Sequence, residues 1–149
     1  MKTTKTAKSK KIIAHAEKPA ERYFEGLGRR KTATARVRIW PNLSEKSRLN
    51  VNGVKYDEYF KVSRYQESAF APLKLLKLNA LIEAKTYGGG IMAQAEAVAL
   101  GAARAIIKLD PTQKALLSAS GFLTRDSRMV ERKKPGLRKA RRAHQWKKR

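Results

Sequence analysis

Apolar residues recur with period two over residues 33–40, where Ala33, Ala35, Val37 and Ile39 alternate with Thr34, Arg36, Arg38 and Trp40. That is the pattern of a strand with one buried face, and its open face is cationic. Pro41-Asn42 ends it, and RLNVNGVKY offers a second strand with Asn52-Gly53 as a hairpin-type turn leading to Val54. Between Tyr56 and Leu78 the spacing becomes helical through Tyr59, Phe60, Ala69, Phe70, Leu73, Leu75 and Leu76. Pro72 predicts a kink or restart there, since proline lacks an amide hydrogen and clashes with the preceding turn, so two short helices are expected. NALIEAKTY sets Leu81, Glu83 and Lys85 against Ile82, Ala84 and Thr86 and reads as another strand, closed by Gly88-Gly89-Gly90. From Ile91 to Leu109, Ile91, Ala95, Val98, Ala102, Ile106 and Leu109 return at intervals of three and four, which predicts a long helix. Its alanines and Gly101 permit a close approach to a sheet. Asp110-Pro111 breaks it, and a short helix through Leu116 and Leu117 is expected to stop at Gly121.

Strand, strand, helix, strand, helix, helix describes an α+β or α/β layer with helices covering one face of a sheet. Residues 23–123 form one globular body of ordinary size in this reading. The first 22 residues sustain neither period and read as a disordered basic arm, in which Ile12 and Ile13 could form a turn of helix on contact. Residues 124–149 read as an extended basic tail with no pattern for a packed core.

Charge sharpens this division. The formal net charge is +23. Residues 1–38 carry twelve basic and three acidic side chains, residues 124–149 twelve and two, and the middle eleven and seven, giving +9, +10 and +4. A near-neutral body with two basic ends implies a polyanionic partner. A membrane is not that partner in this reading, for no apolar run approaches the roughly 20 residues that span a bilayer. The start holds no apolar stretch of signal-peptide length, so secretion is not expected. With no cysteine there is no disulfide framework or thiolate site. His15 and His144 lie in opposite arms, and Asp57-Glu58 is the only acidic pair. No metal site, cofactor site or catalytic constellation is predicted from these residues.

Three stretches remain as candidates for binding. GLGRRKTATARVR joins Gly26 and Gly28 to Arg29, Arg30 and Lys31, followed by Arg36 and Arg38. Glycine lets a backbone come close to a phosphate, and adjacent arginines can grip it, so RNA or DNA contact is favoured over a solvated loop. Gly88 to Gly90 lacks the spaced glycines and lysine of a phosphate loop and reads as a tight strand-to-helix turn. In the tail, Arg125, Arg128 and Arg132 would share a face if the stretch became helical, before Pro135-Gly136 forces a break. Beyond it, basic residues surround Trp146, a ring able to stack on a base. Fully extended, the tail could reach about 85 Å, against a body radius of gyration of about 13 Å.

GLGRRKTATARV, the glycine triplet followed by Gln94-Ala95, and GFLTRDSRMVERKKPGLRKARR running to Lys148-Arg149 occur in collinear order. Together they resemble the bacterial form of small-subunit ribosomal protein nine from about Tyr23 onward. The resemblance implies a fold of the ribosomal protein five second-domain type, with a mixed sheet, helices on one face and a left-handed βαβ crossover. It implies 16S-type rRNA of the subunit head and neighbouring small-subunit ribosomal proteins as partners. It also implies a tail that threads to the peptidyl site and places Lys147, Lys148 and Arg149 at the anticodon stem-loop of the bound tRNA. The ribosome concerned is cytoplasmic or organellar. Departures from the family pattern are Trp146-Lys147 and Ala143-His144 near the end, and Ala99-Leu100 where a basic pair is expected before Gly101.

The resulting expectation is a structural, non-enzymatic ribosomal protein. Arg29, Arg30, Lys31, Arg36 and Arg38 in the body would contact rRNA. So would Arg125, Arg128, Arg132, Lys133, Lys134, Arg138, Lys139, Arg141 and Arg142 in the tail. Competing classes are an architectural DNA-binding protein, which would want a groove-reading helix, and an RNA-processing enzyme, which would want a carboxylate cluster.

Overall fold

The structure is a computed structural model that describes residues 22–41 and 47–146. The expected arm before Arg22 and the tip residues Lys147, Lys148 and Arg149 lie outside the described residues. Five strands form one mixed sheet in the order β1-β2-β5-β3-β4. They are β1 (Phe24–Arg30), β2 (Ala33–Pro41), β3 (Arg48–Val51), β4 (Val54–Lys55) and β5 (Ala80–Tyr87). Neighbours run antiparallel except β3 and β5, which are parallel and joined through helices α1 (Tyr56–Tyr59) and α2 (Ser63–Leu76). After β5 come α3 (Ile91–Leu109), a 3-10 turn (Pro111–Gln113) and α4 (Lys114–Ala119). This is a single α+β domain.

The period-two reading of β2 holds, with Ala33, Ala35, Val37 and Ile39 buried. The hairpin also forms as expected: Asn52 and Gly53 have φ of 52° and 83°, the pair of positive values that a tight hairpin turn of the right twist needs. Asn52 does more than turn the chain. Its side chain accepts from the Thr86 amide at 2.8 Å and donates to Thr86 Oγ1 at 3.0 Å, which ties the hairpin to β5 and satisfies the buried threonine.

Two expectations need correction. The sheet does not begin at Ala33, because β1 precedes it and pairs with β2 from Phe24↔Ile39 to Arg30↔Ala33. Nor does Pro72 divide the helices. It lies buried inside a continuous α2, while the break comes earlier, at residues 60–62, where the backbone of Phe60 and Val62 is extended. The Phe60 amide still donates to the Tyr56 carbonyl, and the Phe60 side chain turns into the core. Burying such a side chain contributes about 1.5–3 kcal/mol.

Helix α3 lies between β1 and β2 on one side and α2 on the other, which is why residues around most of its circumference are buried. The approach to β1 is limited by backbone alone. A Cβ on Gly28 would stand 1.8 Å from the carbonyl oxygen of Ala97, and one on Gly26 would stand 2.1 Å from that of Gly101. The other side of the edge strand is capped from the same helix. Arg104 Nη1 donates to the Leu27 carbonyl and Lys108 Nζ to that of Glu25, both at 2.8 Å. Carbonyls on an unpaired strand edge would otherwise invite another strand.

Candidate nucleic-acid interface

Because successive residues of a strand face opposite ways, β1 separates the two arginines that stand side by side in sequence. Gly26, Gly28 and Arg30 face α3, while Glu25, Leu27 and Arg29 face outward with Thr34, Arg36 and Arg38 of β2. The glycines therefore serve the helix rather than a phosphate, and Arg29 and Arg30 do not form one grip. Lys31 occupies the hairpin turn with φ of 50° and is exposed.

On the outer face, strand pairing assembles a basic surface wider than the sequence reading anticipated. Arg36 lies opposite Lys85 of β5, and Arg48 of β3 lies beside Leu81. Arg29, Arg36, Arg48 and Lys85 are exposed. Lys85 carried a signal in the alternation of its strand, whereas Arg48 joined the face only once β3 was placed beside β5. Glu25 sits among these cations: Arg36 Nε donates to it at 2.7 Å and Arg38 Nε at 3.3 Å. Hydrogen bonding from Arg36, then from Arg38, holds the Glu25 carboxyl below the usual range. The Arg38 guanidinium also lies 4.8 Å from the centre of the Tyr23 ring, a favourable cation–π contact. Trp40, on the same side of β2, is covered rather than open, with the Tyr23 ring 5.7 Å away.

Arg30 meets the start of the tail. Its Nε donates to Glu96 of α3 at 2.6 Å and its Nη2 pairs with Asp126 at 2.9 Å. Nη1 donates to the carbonyls of Asp126 at 3.2 Å and Arg128 at 2.7 Å. Asp126 in turn accepts from the amide and guanidinium of Arg128. Those bonds, led by the one from the Arg128 side chain, hold its carboxyl far below the normal aspartate value.

Beyond residue 124 the described chain forms no helix, so Arg125, Arg128 and Arg132 do not share a helical face. Asp126 gives the reason, since its side chain bonds the Arg128 amide two residues on, a local turn that competes with helix. A second carboxylate, Glu131, pairs with Lys134 and Arg141, each at 2.8 Å, and the bond from Lys134 is the larger cause of its lowered pKa. An isolated bridge between Leu137 and Ala143 closes this loop, with the Arg138 amide donating to the Arg142 carbonyl at 2.7 Å. Arg125, Arg132, Lys133, Arg138, Lys139 and Arg142 are exposed and make no ion pair among the described residues. Trp146 is 93% exposed.

The remaining chemistry is sparse. Ala99 and Leu100 are buried and line a cleft between α2 and α3. The glycine triplet makes the expected strand-to-helix turn, with Gly88 and Gly89 at φ of 66° and 64°. No group of three His, Asp or Glu among the described residues could hold a metal. No helix among them is long and apolar enough to cross a membrane.

A family model described as ribosomal protein S9/S16 matches residues 28–149. The small ribosomal subunit protein uS9c of Gracilaria tenuistipitata var. liui is 46% identical over 129 residues, covering 85% of this chain and 92% of its own. The uS9 protein of a Synechocystis strain is 48% identical over 131 residues, with 85% and 92% covered. That of Pseudothermotoga lettingae is 47% identical over 131 residues, with 85% and 96% covered.

Proposed function

The chain belongs to the ribosomal protein S9/S16 family of the small ribosomal subunit, and from that premise we propose that its two basic surfaces divide the work of binding RNA. The family is one of ribosomal proteins rather than enzymes. The outer sheet face, with Arg29, Arg36 and Arg38 and the adjoining Arg48 and Lys85, docks the body on 16S-type rRNA of the subunit head beside neighbouring ribosomal proteins. Tail residues from Arg125 to Arg142 neutralise rRNA phosphates along the path inward. Lys147, Lys148 and Arg149 reach the anticodon stem-loop of the peptidyl-site tRNA. Contacts of this kind go to phosphate, so they fix position and register without reading sequence. The fold reading that accompanies this is the ribosomal protein five second-domain type, with the β3-to-β5 connection as its left-handed crossover.

The observation that carries the proposal is the row of exposed tail cations with no carboxylate partner among the described residues, on a stretch whose root is fixed to the body. In a protein of net charge +23, six such side chains are costly to leave without counter-ions and well placed to take phosphates. A duplex-DNA role is favoured by nothing comparable.

Deleting residues 145–149 tests the tail assignment. Reconstituted subunits should assemble nearly as well as intact ones, lose tRNA from the peptidyl site faster and shift reading frame more often. Equal tRNA retention and equal frame maintenance would remove the tip from the tRNA site.

A further inference from the structure

Arg30 was expected on the RNA side of the protein, yet its geometry assigns it another task. A guanidinium has five N–H donors, and four of those of Arg30 are taken up by Glu96, by the Asp126 carboxylate and by the carbonyls of Asp126 and Arg128. Its side chain is only 13% exposed. With Arg128 added, two guanidinium groups face two carboxylates, so this node is neutral within a strongly cationic chain and offers a phosphate little. It also spans three parts of the molecule: the end of β1, the first half of α3 and residues 126–128 of the chain that follows α4. The tail leaves there across the α2–α3 cleft lined by Ser68, Ala71, Ala99, Leu100 and Phe122.

We propose that Arg30 is a positioning residue that clamps the root of the tail to the body and so sets the direction in which the tail departs. Strand alternation supplies the mechanism. Arg29 is turned to the RNA face, and the next residue is turned to the helix face, where it grips the backbone of residues 126–128 through a planar fork. A lysine could keep the charge but could not hold Glu96, Asp126 and two carbonyls at once. The clamp itself does not depend on what the tail tip touches, whereas its consequence for translation rests on the tRNA reading above.

The test uses the full-length chain with Arg30→Gln, Arg30→Lys and, as a control, Lys108→Gln, which also removes a bond between α3 and β1 but lies away from the tail. In the free protein, trypsin cleavage after Arg125 and Arg128 and exchange of the Arg128 amide, which donates to the Asp126 carboxylate, are followed beside the exchange of β1 and α3. Arg30→Gln should accelerate both at the tail root by roughly ten- to a hundredfold, the loss expected for hydrogen bonds to a charged group. Arg30→Lys should fall between it and the wild type, with β1 and α3 protected in both and the tail root unchanged in Lys108→Gln. Unchanged tryptic cleavage after Arg125 and Arg128 together with unchanged exchange of the Arg128 amide in Arg30→Gln would overturn the clamp, and so would loss of protection in β1 and α3 to the same degree as in the tail. In reconstituted subunits, Arg30→Gln should weaken peptidyl-site tRNA retention as the 145–149 deletion does, though less. If the deletion lowers retention and Arg30→Gln does not, the positioning role falls. If neither lowers it, the tRNA reading falls, and the clamp is judged on the tail-root exchange.

Discussion

On the sheet face, Arg36 and Arg38 project two residues apart from a strand hydrogen-bonded on both sides, and both lean on one carboxylate, Glu25. In the tail, Arg125, Arg132, Lys133, Arg138, Lys139 and Arg142 stand on backbone held by no strand ladder, only by the isolated Leu137–Ala143 bridge, and have no carboxylate partner among the described residues. The same sign of charge is thus held in two ways. A preset face pays its ordering cost when the protein folds, and its cations are partly neutralised beforehand. A tail keeps its charges available and meets much of that cost on binding. In the proposed role, the face would serve docking in one orientation and the tail a crowded path whose shape is set by the RNA.

The largest effect that separates the two regions should come from Gly28→Val. Its added side chain begins 1.8 Å from the Ala97 carbonyl oxygen, so α3 must leave β1, at a cost of about 3 kcal/mol or more. Urea unfolding followed by circular dichroism should show that loss, and the body should fail to dock while a tail peptide still binds RNA nonspecifically. A fall in stability under 1 kcal/mol, on the scale of a tolerated core change, would mean that the helix can withdraw without consequence.

Neutralising Arg125, Arg132, Lys133, Arg138, Lys139 and Arg142, the six tail cations without an ion pair among the described residues, to Gln should lower the slope of log affinity for rRNA against log salt by about 4 to 5, at roughly 0.7–0.9 per phosphate contact. Arg36→Gln with Arg38→Gln should lower it by about 1 or less, because Glu25 already occupies part of their charge. Glu25→Gln should move the face in the opposite direction and tighten binding. Equal slopes from the two sets, measured by filter binding across a salt series, would erase the distinction between preset and available charge.

The smallest effect is in pH dependence. Asp126 is faced by Arg128 and Arg30, with Glu96 beyond Arg30, and its folded pKa is depressed. A depressed carboxyl contributes stability that is fully present above the unfolded aspartate value of about 3.9 and is lost as pH falls below it. Protection at the tail root, corrected for intrinsic exchange, should therefore stay flat from pH 8 to 5 and decline only under more acidic conditions. A decline beginning near pH 6 would point to a different titrating group.

Strand alternation in β2 and β5, the Asn52-Gly53 turn, the long α3 and the charge of the tail were all legible in the chain, because each is written in local spacing. Strand β1 was not. Its fully buried positions are Gly26 and Gly28, so the residues that mark its buried face have no side chain for a hydrophobic pattern to register. They are glycines because α3 comes so close that nothing larger fits, and that closeness is a tertiary fact. From the missing strand followed the misreading of Arg29 and Arg30 as one phosphate grip. Pro72 is a similar case, since local chemistry predicts a break that packing against the core overrides.

By itself the sequence determined that a near-neutral body would carry concentrated positive charge at its ends, and where most of the helices and strands would run, since composition and period act over a few residues. Only the tertiary structure decided which cations are free. Arg30 and Arg29 are chemically the same side chain one position apart, and what makes one a clamp and the other an exposed charge is the arrival of Glu96 from 66 residues and Asp126 from 96 residues further along the chain.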